Sequence, residues 1–354
     1  MPLTSAKRAW LAVAALLCLA IAGGALYYHH LKQPLPGPAQ VPGAPPSLIS
    51  LLPSDAPVIA YINVDALRAS KDSALISLLL TPAPKSQADA EYKAFVDGTG
   101  FDYARDLNRA AVAMWPAGLA QTPESVQQDR TLGVADGHFN QEKITAYALH
   151  MRGHQEASGT SHVFVVPGAP PVAFEFLSPT RIRIASGPDP AAILRTSAPG
   201  ASDAAMQERI ARVAGAPLFA VARTDNLPDS FYAPLHNTPQ LAHLARSIQG
   251  LTLAGKPSGD LLTVTLDAQC SSIKDSFELA TLIDGFRMLG SVALQDPKMQ
   301  GQMTREQAAF LHDVVSRTLV THQDKWVRLS LDITPQMLGT TSSSATDPPA
   351  ARSR

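Results

Sequence analysis

Patterns typical of buried strands and amphipathic helices alternate along most of this chain, and one strand-to-helix pattern occurs twice. The first copy spans residues 56–70 and the second 216–230, and they share Ala, Pro, Ala, Asp, Leu and Ser at six of fifteen positions. The near-continuous apolar run in each copy predicts a strand at the centre of a sheet. We therefore predict a duplicated unit, in which Asp65 and Asp225 are the N-caps of the helices that follow.

In outline, each half of the chain follows the order strand, helix, strand, strand, helix, strand, with further elements between these. Apolar or alternating runs predict the strands, and capped amphipathic runs predict the helices. In the first half the strands are 58–64, 110–115, 131–135, 163–166, 172–176 and 181–185, and the helices follow Asp65, span 86–96 and follow Asn140. In the second half the strands are 218–222, 251–254, 261–266 and 326–333, and the helices are 239–248, 273–294 and 305–320. Both halves close with a short helix, opened by Asp189-Pro190 or by Thr334-Pro335.

This order predicts an α+β fold in which two similar halves of antiparallel sheet, 49–200 and 201–339, carry helices on one face. The helix 273–294 starts at a capping box made by Ser272 and Asp275. Its wide apolar stripe predicts a core helix, and the charges along it exclude a membrane span. The stripe comprises Ile273, Phe277, Ala280, Leu282, Ile283, Phe286, Leu289 and Val292.

The N-terminal residues predict a single-pass membrane anchor. Residues 9–28 carry no charge and, at about 1.5 Å per residue, are long enough to cross a hydrocarbon core of roughly 30 Å. Lys7 and Arg8 precede this run, which predicts a cytoplasmic tail 1–8, a bacterial inner-membrane anchor and a periplasmic location for residues 29–354. A cleaved signal peptide is the alternative, because small residues near the end of the run offer cleavage positions.

Two more segments are predicted to lie outside the folded region. Residues 29–48 form an extended, proline-rich linker, and residues 340–354 form a disordered tail rich in Ser, Thr, Pro and Ala. The whole chain has a net charge of −1 and a charged fraction of 17%. This composition has no basic excess, so a dedicated nucleic-acid binder is excluded.

A small group of histidines is the part of the sequence that most suggests a metal. His150 and His154 are four positions apart, with Glu156 and His162 nearby. On one helix face such a pair can bind zinc, but Arg152-Gly153 predicts that the helix ends between them. We therefore expect solvated histidines and assign no metal, cofactor or catalytic residue.

The other candidate groups also have structural explanations. Cys270 has no neighbouring histidine and is expected to be a small residue near a strand end. Residues 255–259 resemble a phosphate loop, but they contain a proline and lack its upstream glycine, so a hairpin turn is expected. Asp65 and Asp225 could form a symmetric catalytic pair, yet their place after a strand already explains them as caps.

The runs 52–67 and 99–107, LPSDAPVIAYINVDAL and TGFDYARDL, resemble a family of uncharacterised bacterial proteins. The resemblance implies an N-terminal membrane segment, a proline-rich linker and an exported α+β region over about residues 50–340. It brings no known activity and no site residue.

An anchor, a linker and no catalytic constellation together favour a non-enzymatic binding or structural protein of the cell envelope. Its partners would be the membrane, through residues 9–28, and another envelope protein. The alternative is a carrier of a lipid or another apolar ligand, in a groove under helices 273–294 and 305–320. An envelope hydrolase, with a site assembled from scattered residues, is the least favoured hypothesis.

Overall fold

The computed structural model describes residues 47–70, 87–116, 129–158, 161–197, 200, 203–224, 238–259, 261–296, 305–334 and 337. The predicted anchor 9–28, almost all of the linker and the tail 340–354 therefore lie outside the described residues. Within the described ranges, no helix has both the length and the apolar character needed to cross a membrane.

The described residues contain a sheet of twelve strands in which every neighbouring pair is antiparallel. Along the chain the strands are β1 (Val58–Asn63), β2 (Leu107–Trp115), β3 (Arg130–Gly137), β4 (His154–Ser158), β5 (Ser161–Val166), β6 (Val172–Ser178), β7 (Arg181–Ser186), β8 (Leu218–Arg223), β9 (Ile248–Ser258), β10 (Leu261–Cys270), β11 (Leu319–Gln323) and β12 (Trp326–Ile333). Across the sheet the order is β11-β12-β10-β9-β8-β1-β2-β3-β7-β6-β5-β4. The predicted α+β class with a large antiparallel sheet is confirmed, and β1 and β8 join the two halves into one sheet.

A 3₁₀ turn (Ile49–Leu51) precedes β1, and nine α-helices are described: α1 (Val64–Ala69), α2 (Gln87–Thr99), α3 (Tyr103–Asp106), α4 (Gln141–His150), α5 (Pro190–Thr196), α6 (Ala204–Val213), α7 (Pro239–Ser247), α8 (Ile273–Gln295) and α9 (Arg305–Arg317). Six of them begin at a side chain that accepts a backbone N–H of the first turn, which replaces a missing helical bond. The caps are Asn63, Asp102, Asn140, Asp189, Asp203 and Ser272.

The register of the sheet agrees with the repeat in the sequence. Ala60 of β1 lies opposite Ala220 of β8, and these two residues occupy the same position in the two copies. From this pair the strands follow in the same order on both sides: β2, β3, β7, β6 on one and β9, β10, β12, β11 on the other. Matching the pairings outward places Asp189 and Thr334 at equivalent positions.

Helices cover both faces of the sheet, which corrects the expectation that they pack on one face. On the first face, Ile59 and Tyr61 pack with α5, α6 and the 3₁₀ turn in the largest hydrophobic cluster. On the second face, α4 covers the strands around β6, and α8 covers β10 and β12. Side chains of one strand contribute to the clusters on both faces. Ile182 of β7 belongs to the α4 cluster, and Ala185 of the same strand belongs to the α5–α6 cluster. Strands that are apolar on both sides need cover on both sides.

Two buried ion clusters tie the strands together on the first face. In the first half, the Asp136 carboxylate accepts hydrogen bonds from Arg181 at 2.6 Å and Arg109 at 2.8 Å. In the second half, Asp267 accepts two bonds from Arg328, at 2.5 and 2.6 Å. Burial of a carboxylate is tolerable only where such partners replace its water.

Several predicted boundaries are wrong for local reasons. The predicted turn 255–259 is mostly strand, since β9 continues to Ser258 and its hairpin turns at Gly259, which has a φ of 59°. The helix predicted over 305–320 ends at Arg317, because the following residues pair with β12 as β11. Helix α6 was not predicted, although Met206, Ile210 and Val213 have helical spacing and are buried.

Candidate interaction surface

Of the two aspartates of the repeat, the structure describes only Asp65. Asn63, not Asp65, caps α1, and its side chain accepts the Ala66 N–H at 3.0 Å. Asp65 lies in the first turn, where its exposed carboxylate accepts a hydrogen bond from Arg68 at 2.8 Å. Asp225 lies outside the described residues. The prediction that Asp65 is the cap is therefore wrong, and one of the two members of the hypothetical catalytic pair is a surface residue.

The histidines considered as metal ligands lie on separate elements. His150 ends α4, His154 begins β4 and His162 lies on β5. His154 contacts Glu156 at 3.1 Å, and Arg195 donates to the other oxygen of that carboxylate at 2.8 Å. Hydrogen bonds from Arg195 and His154 hold the pKa of Glu156 below its usual value. Within the described ranges no group of His, Cys, Asp and Glu is arranged to hold a metal.

Cys270 is fully buried at the end of β10. Burial raises the pKa of its thiol to about 11, and the nearby charge of Asp275 acts in the same direction. The thiolate is the nucleophilic form of cysteine, so this side chain is held in its unreactive form at neutral pH. Its place near a strand end, as a small packed residue, agrees with the sequence prediction.

Asp102 and Asp106 organise the segment between α2 and β2. Asp102 caps α3 by accepting the Ala104 N–H at 2.9 Å and also accepts the Tyr92 hydroxyl at 2.9 Å. Burial, and then the hydrogen bond to Asp102, raise the pKa of Tyr92 to about 12. Asp106 accepts the backbone N–H of Asp102 at 2.8 Å. Both acids are therefore structural.

An open groove of about 630 Å³ lies between α4 and strands β5 and β6. Leu149, Phe164 and Phe176 form apolar parts of its lining, and Glu142 and His162 form polar parts.

The underside of α8 is packed directly on the second face of the sheet. Leu279, Ala280 and Ile283 are buried in a cluster with residues of β10 and β12, including Val327 and Leu329. These side chains fill the space between the helix and the sheet. The groove that was predicted under helix 273–294 is occupied there by the protein's own core.

The outward side of α8 carries an exposed apolar stripe. Ile273, Phe277, Leu289 and Val292 are 60%, 56%, 69% and 57% exposed, and Thr281 and Gly285 continue the same line at intervals of four residues. We call these six residues the outer stripe of α8. Ile273 and Phe277 lie one turn apart at the start of the helix, and Leu289 and Val292 lie one turn apart near its end. Adjacent exposed apolar side chains of this kind mark interaction sites. The prediction that Ile273, Phe277, Leu289 and Val292 belong to the core is wrong.

The helix that carries the outer stripe is held by hydrogen bonds near its start, at Ser276, and beyond its middle, at Arg287. Ser272 accepts the Asp275 N–H at 3.1 Å, which confirms it as the predicted N-cap, and its hydroxyl donates to the Asp275 carboxylate at 2.7 Å. Ser276 donates its hydroxyl to the Asp324 carbonyl at 2.5 Å. Arg287 donates to the Thr318 carbonyl at 3.2 Å. The stripe is thus presented on a rigid element, which reduces the entropy lost when a partner binds.

No protein-family model matches this chain, and no curated protein matches its sequence. Among solved structures, three crystal forms of TP0453, forms I, III and IV, match with TM-scores of 0.41, 0.44 and 0.43. Their sequences are 10–12% identical to this chain, and the matches cover 84% of this chain and 96–97% of those chains.

The outer stripe could have been found in the sequence only in part. Apolar residues at positions 273, 277, 289 and 292 are visible in the sequence, but α8 is apolar around much of its circumference. Periodicity alone does not say which side of such a helix meets the sheet. The sides are distinguished only by the packing of β10 and β12 against Leu279 and Ile283.

Proposed function

We propose that this chain is a non-enzymatic binding protein of the bacterial cell envelope. Residues 9–28 anchor it in the inner membrane with the N-terminus in the cytoplasm, and residues 29–48 hold the folded region away from the bilayer. The folded region is built from two similar halves, 49–200 and 201–339, a view supported by the register about Ala60 and Ala220. The outer stripe of α8 binds a protein partner.

The observation that carries this proposal is the exposure of the outer stripe. Four large apolar side chains are more than half exposed on a helix whose other side is packed on the sheet. Burying one such side chain against a partner releases up to roughly 1.5–3 kcal/mol. Lys274 and Glu278 lie beside the stripe and pair with each other at 3.7 Å, and Thr281 and Gly285 at its middle are uncharged.

The other two hypotheses have less support. A carrier with its ligand under α8 conflicts with the packing of Leu279, Ala280 and Ile283 on the sheet. For a hydrolase, Cys270 was considered as a nucleophile, but it is buried as a thiol.

Co-purification of the full chain from crosslinked membranes tests the binding proposal. We expect the wild-type chain to return the same partner protein reproducibly, and a double variant, Leu289→Lys with Val292→Lys, to lose it at least tenfold. Leu177→Lys is the matched control, because Leu177 is 45% exposed on β6, away from α8. Failure to recover any reproducible partner, or recovery by the double variant at the wild-type level, contradicts the proposal.

The anchor is tested by the N-terminal sequence of the protein in membranes. We expect the mature chain to retain residues 1–28 and to resist extraction at alkaline pH, since a transmembrane helix stays in the bilayer under these conditions. A mature chain that begins after residue 22 or 24 would show a cleaved signal peptide instead. That result would leave export and the outer stripe untouched while removing the anchor.

A further inference from the structure

β11 occupies the place in the second half that β6 occupies in the first. Ala60 and Ala220 face one another across the β1–β8 pair, and matching the strand pairings outward from them equates Ala173 of β6 with Leu319 of β11. Each strand pairs on its inner side with the last strand of its half, β7 or β12. The inner neighbours of β6 and β11 are therefore equivalent.

The outer sides of the two strands differ. β5 pairs with the outer side of β6, with Val165 opposite Ala173, and Ala173 is fully buried. β11 is the last strand of the sheet in the described part of the chain, and the equivalent Leu319 is 41% exposed. The second half thus leaves a large apolar side chain at the sheet edge, where the first half has a residue covered by a further strand.

The residue composition of β11 is compatible with the pairing of an additional strand. Its five residues include no Lys, Arg, Asp or Glu. Charged side chains commonly protect sheet edges from association. β4, at the opposite edge, has this protection from Glu156 and its contacts with Arg195 and His154. A strand can therefore pair with β11 without burying a charged group.

We propose that the β11 edge binds the β11 edge of a second copy of this chain, as an antiparallel pair across a two-fold axis. Centred on Thr321, this pairing sets threonine against threonine and Leu319 against Gln323, so no like charges meet. The same arrangement already joins the two halves, since β1 and β8 pair antiparallel about Ala60 and Ala220. The dimer continues the sheet from one copy into the other and covers Leu319.

This inference goes beyond the proposed function and is tested separately from it. The dimer edge is altered at Leu319 and the outer stripe of α8 at Leu289, so each surface can be changed while the other stays intact. A failure of either proposal leaves the other standing.

The test is the protein mass of the full chain in detergent, measured by analytical ultracentrifugation with the detergent density-matched. We expect the wild-type chain to sediment as a dimer and Leu319→Lys, which places a charge in the paired edge, to have half that mass. Ala157→Lys is the matched control, since Ala157 is an exposed residue of the opposite edge strand β4, and it should remain a dimer. Circular dichroism checks that each variant unfolds at the wild-type temperature.

Several results would overturn the proposal. A dimeric Leu319→Lys variant would place the association elsewhere, for example in residues 9–28, which all these proteins retain. A monomeric wild-type chain would mean that β11 is covered by another segment or by a different protein. A second variant, Thr321→Cys with Cys18→Ser, does not require the edge to tolerate a lysine. It should form a disulfide-linked dimer under mild oxidation. Absence of that disulfide-linked dimer would also contradict the two-fold pairing.

Discussion

At the residue scale, Asp136 shows how this fold tolerates a carboxylate in its sheet. Its side chain is 11% exposed and lies between the guanidinium groups of Arg181 and Arg109. Burial opposes the ionised form, but the hydrogen bonds and charges of the two arginines outweigh it and lower the pKa of Asp136. The carboxylate therefore stabilises the fold only while it is ionised.

This lowered pKa gives a prediction for stability against pH. The contribution of Asp136 is fully present above its unfolded pKa of about 3.9 and is lost as the pH falls through the lower pKa of the folded state. Asp136→Asn should reduce the free energy of unfolding at pH 7 by about 1–3 kcal/mol. The variant should also lose less stability than the wild type on acidification below about pH 4.

Urea unfolding at several pH values measures both effects. Asp65→Asn is the control, because the Asp65–Arg68 contact is exposed and such contacts contribute about 0–1 kcal/mol. Equal stability of Asp136→Asn and the wild type at pH 7 would show that the cluster with Arg181 and Arg109 does not stabilise the fold.

Single residues were predicted best where a local rule decides them. Asn140, Asp189 and Ser272 were assigned as helix starts from the residues that follow, and each accepts the backbone bond of an N-cap. Asp65 was assigned wrongly because Asn63, two positions earlier, also satisfies the rule. The choice between them depends on where pairing with β2 ends, and that information is not local.

At the scale of elements, α8 combines a predictable start with an unpredictable orientation. The Ser272 cap and the helix length follow from the sequence, and the structure has the helix at Ile273–Gln295. The prediction that its whole apolar stripe lies in the core was wrong. Of the apolar residues of α8, only Leu279, Ala280 and Ile283 are buried. The number of strands beneath a helix determines how many of the side chains of that helix can be buried against the sheet.

The cap of α8 gives a prediction at this scale. Ser272→Ala removes both the bond to the Asp275 N–H and the bond to its carboxylate, so we expect a loss of about 1 kcal/mol in the free energy of unfolding. Ser291→Ala, the same substitution near the C-terminal end of α8, is the matched control, because a serine at that position cannot cap the helix start. Thermal or urea unfolding of both variants measures the difference. Similar losses in the two variants would contradict the role given to Ser272.

Short elements were the hardest to predict. The first two residues of β11 were assigned to the helix predicted over 305–320 and the other three to no element, since five residues carry too little periodicity to separate a strand from a helix end. β4 was not predicted either, and its polar sequence becomes a strand through pairing with β5. Both strands form because a neighbouring strand supplies backbone partners.

At the scale of the whole molecule, the β1–β8 pair determines the architecture. The sequence repeat indicated two related halves, but it did not show whether they formed one sheet or two. The register about Ala60 and Ala220 joins them into one sheet. The halves then differ at their outer ends, where the first has β4 and β5 and the second has α9 and the open edge of β11.

This difference between the halves also concentrates the candidate interaction surfaces in the second half. The outer stripe of α8 and the exposed Leu319 both belong to it, and Phe277 of the stripe contacts His322 of β11 with ring centroids 5.5 Å apart. The first half instead covers β6 with a further hairpin. We therefore expect changes in the second half to affect binding and changes in the central strands to affect folding.

Site-specific photocrosslinking in intact cells tests the central claim, that the outer stripe of α8 binds a protein, most directly. A benzophenone amino acid at position 289 or 292 should give the same discrete crosslinked product, and at position 177 it should not, although all three side chains are exposed. The product from position 289 should disappear when Val292→Lys is added. A chain that gives no product from positions 289 and 292, or gives the same products from all three positions, would contradict the account.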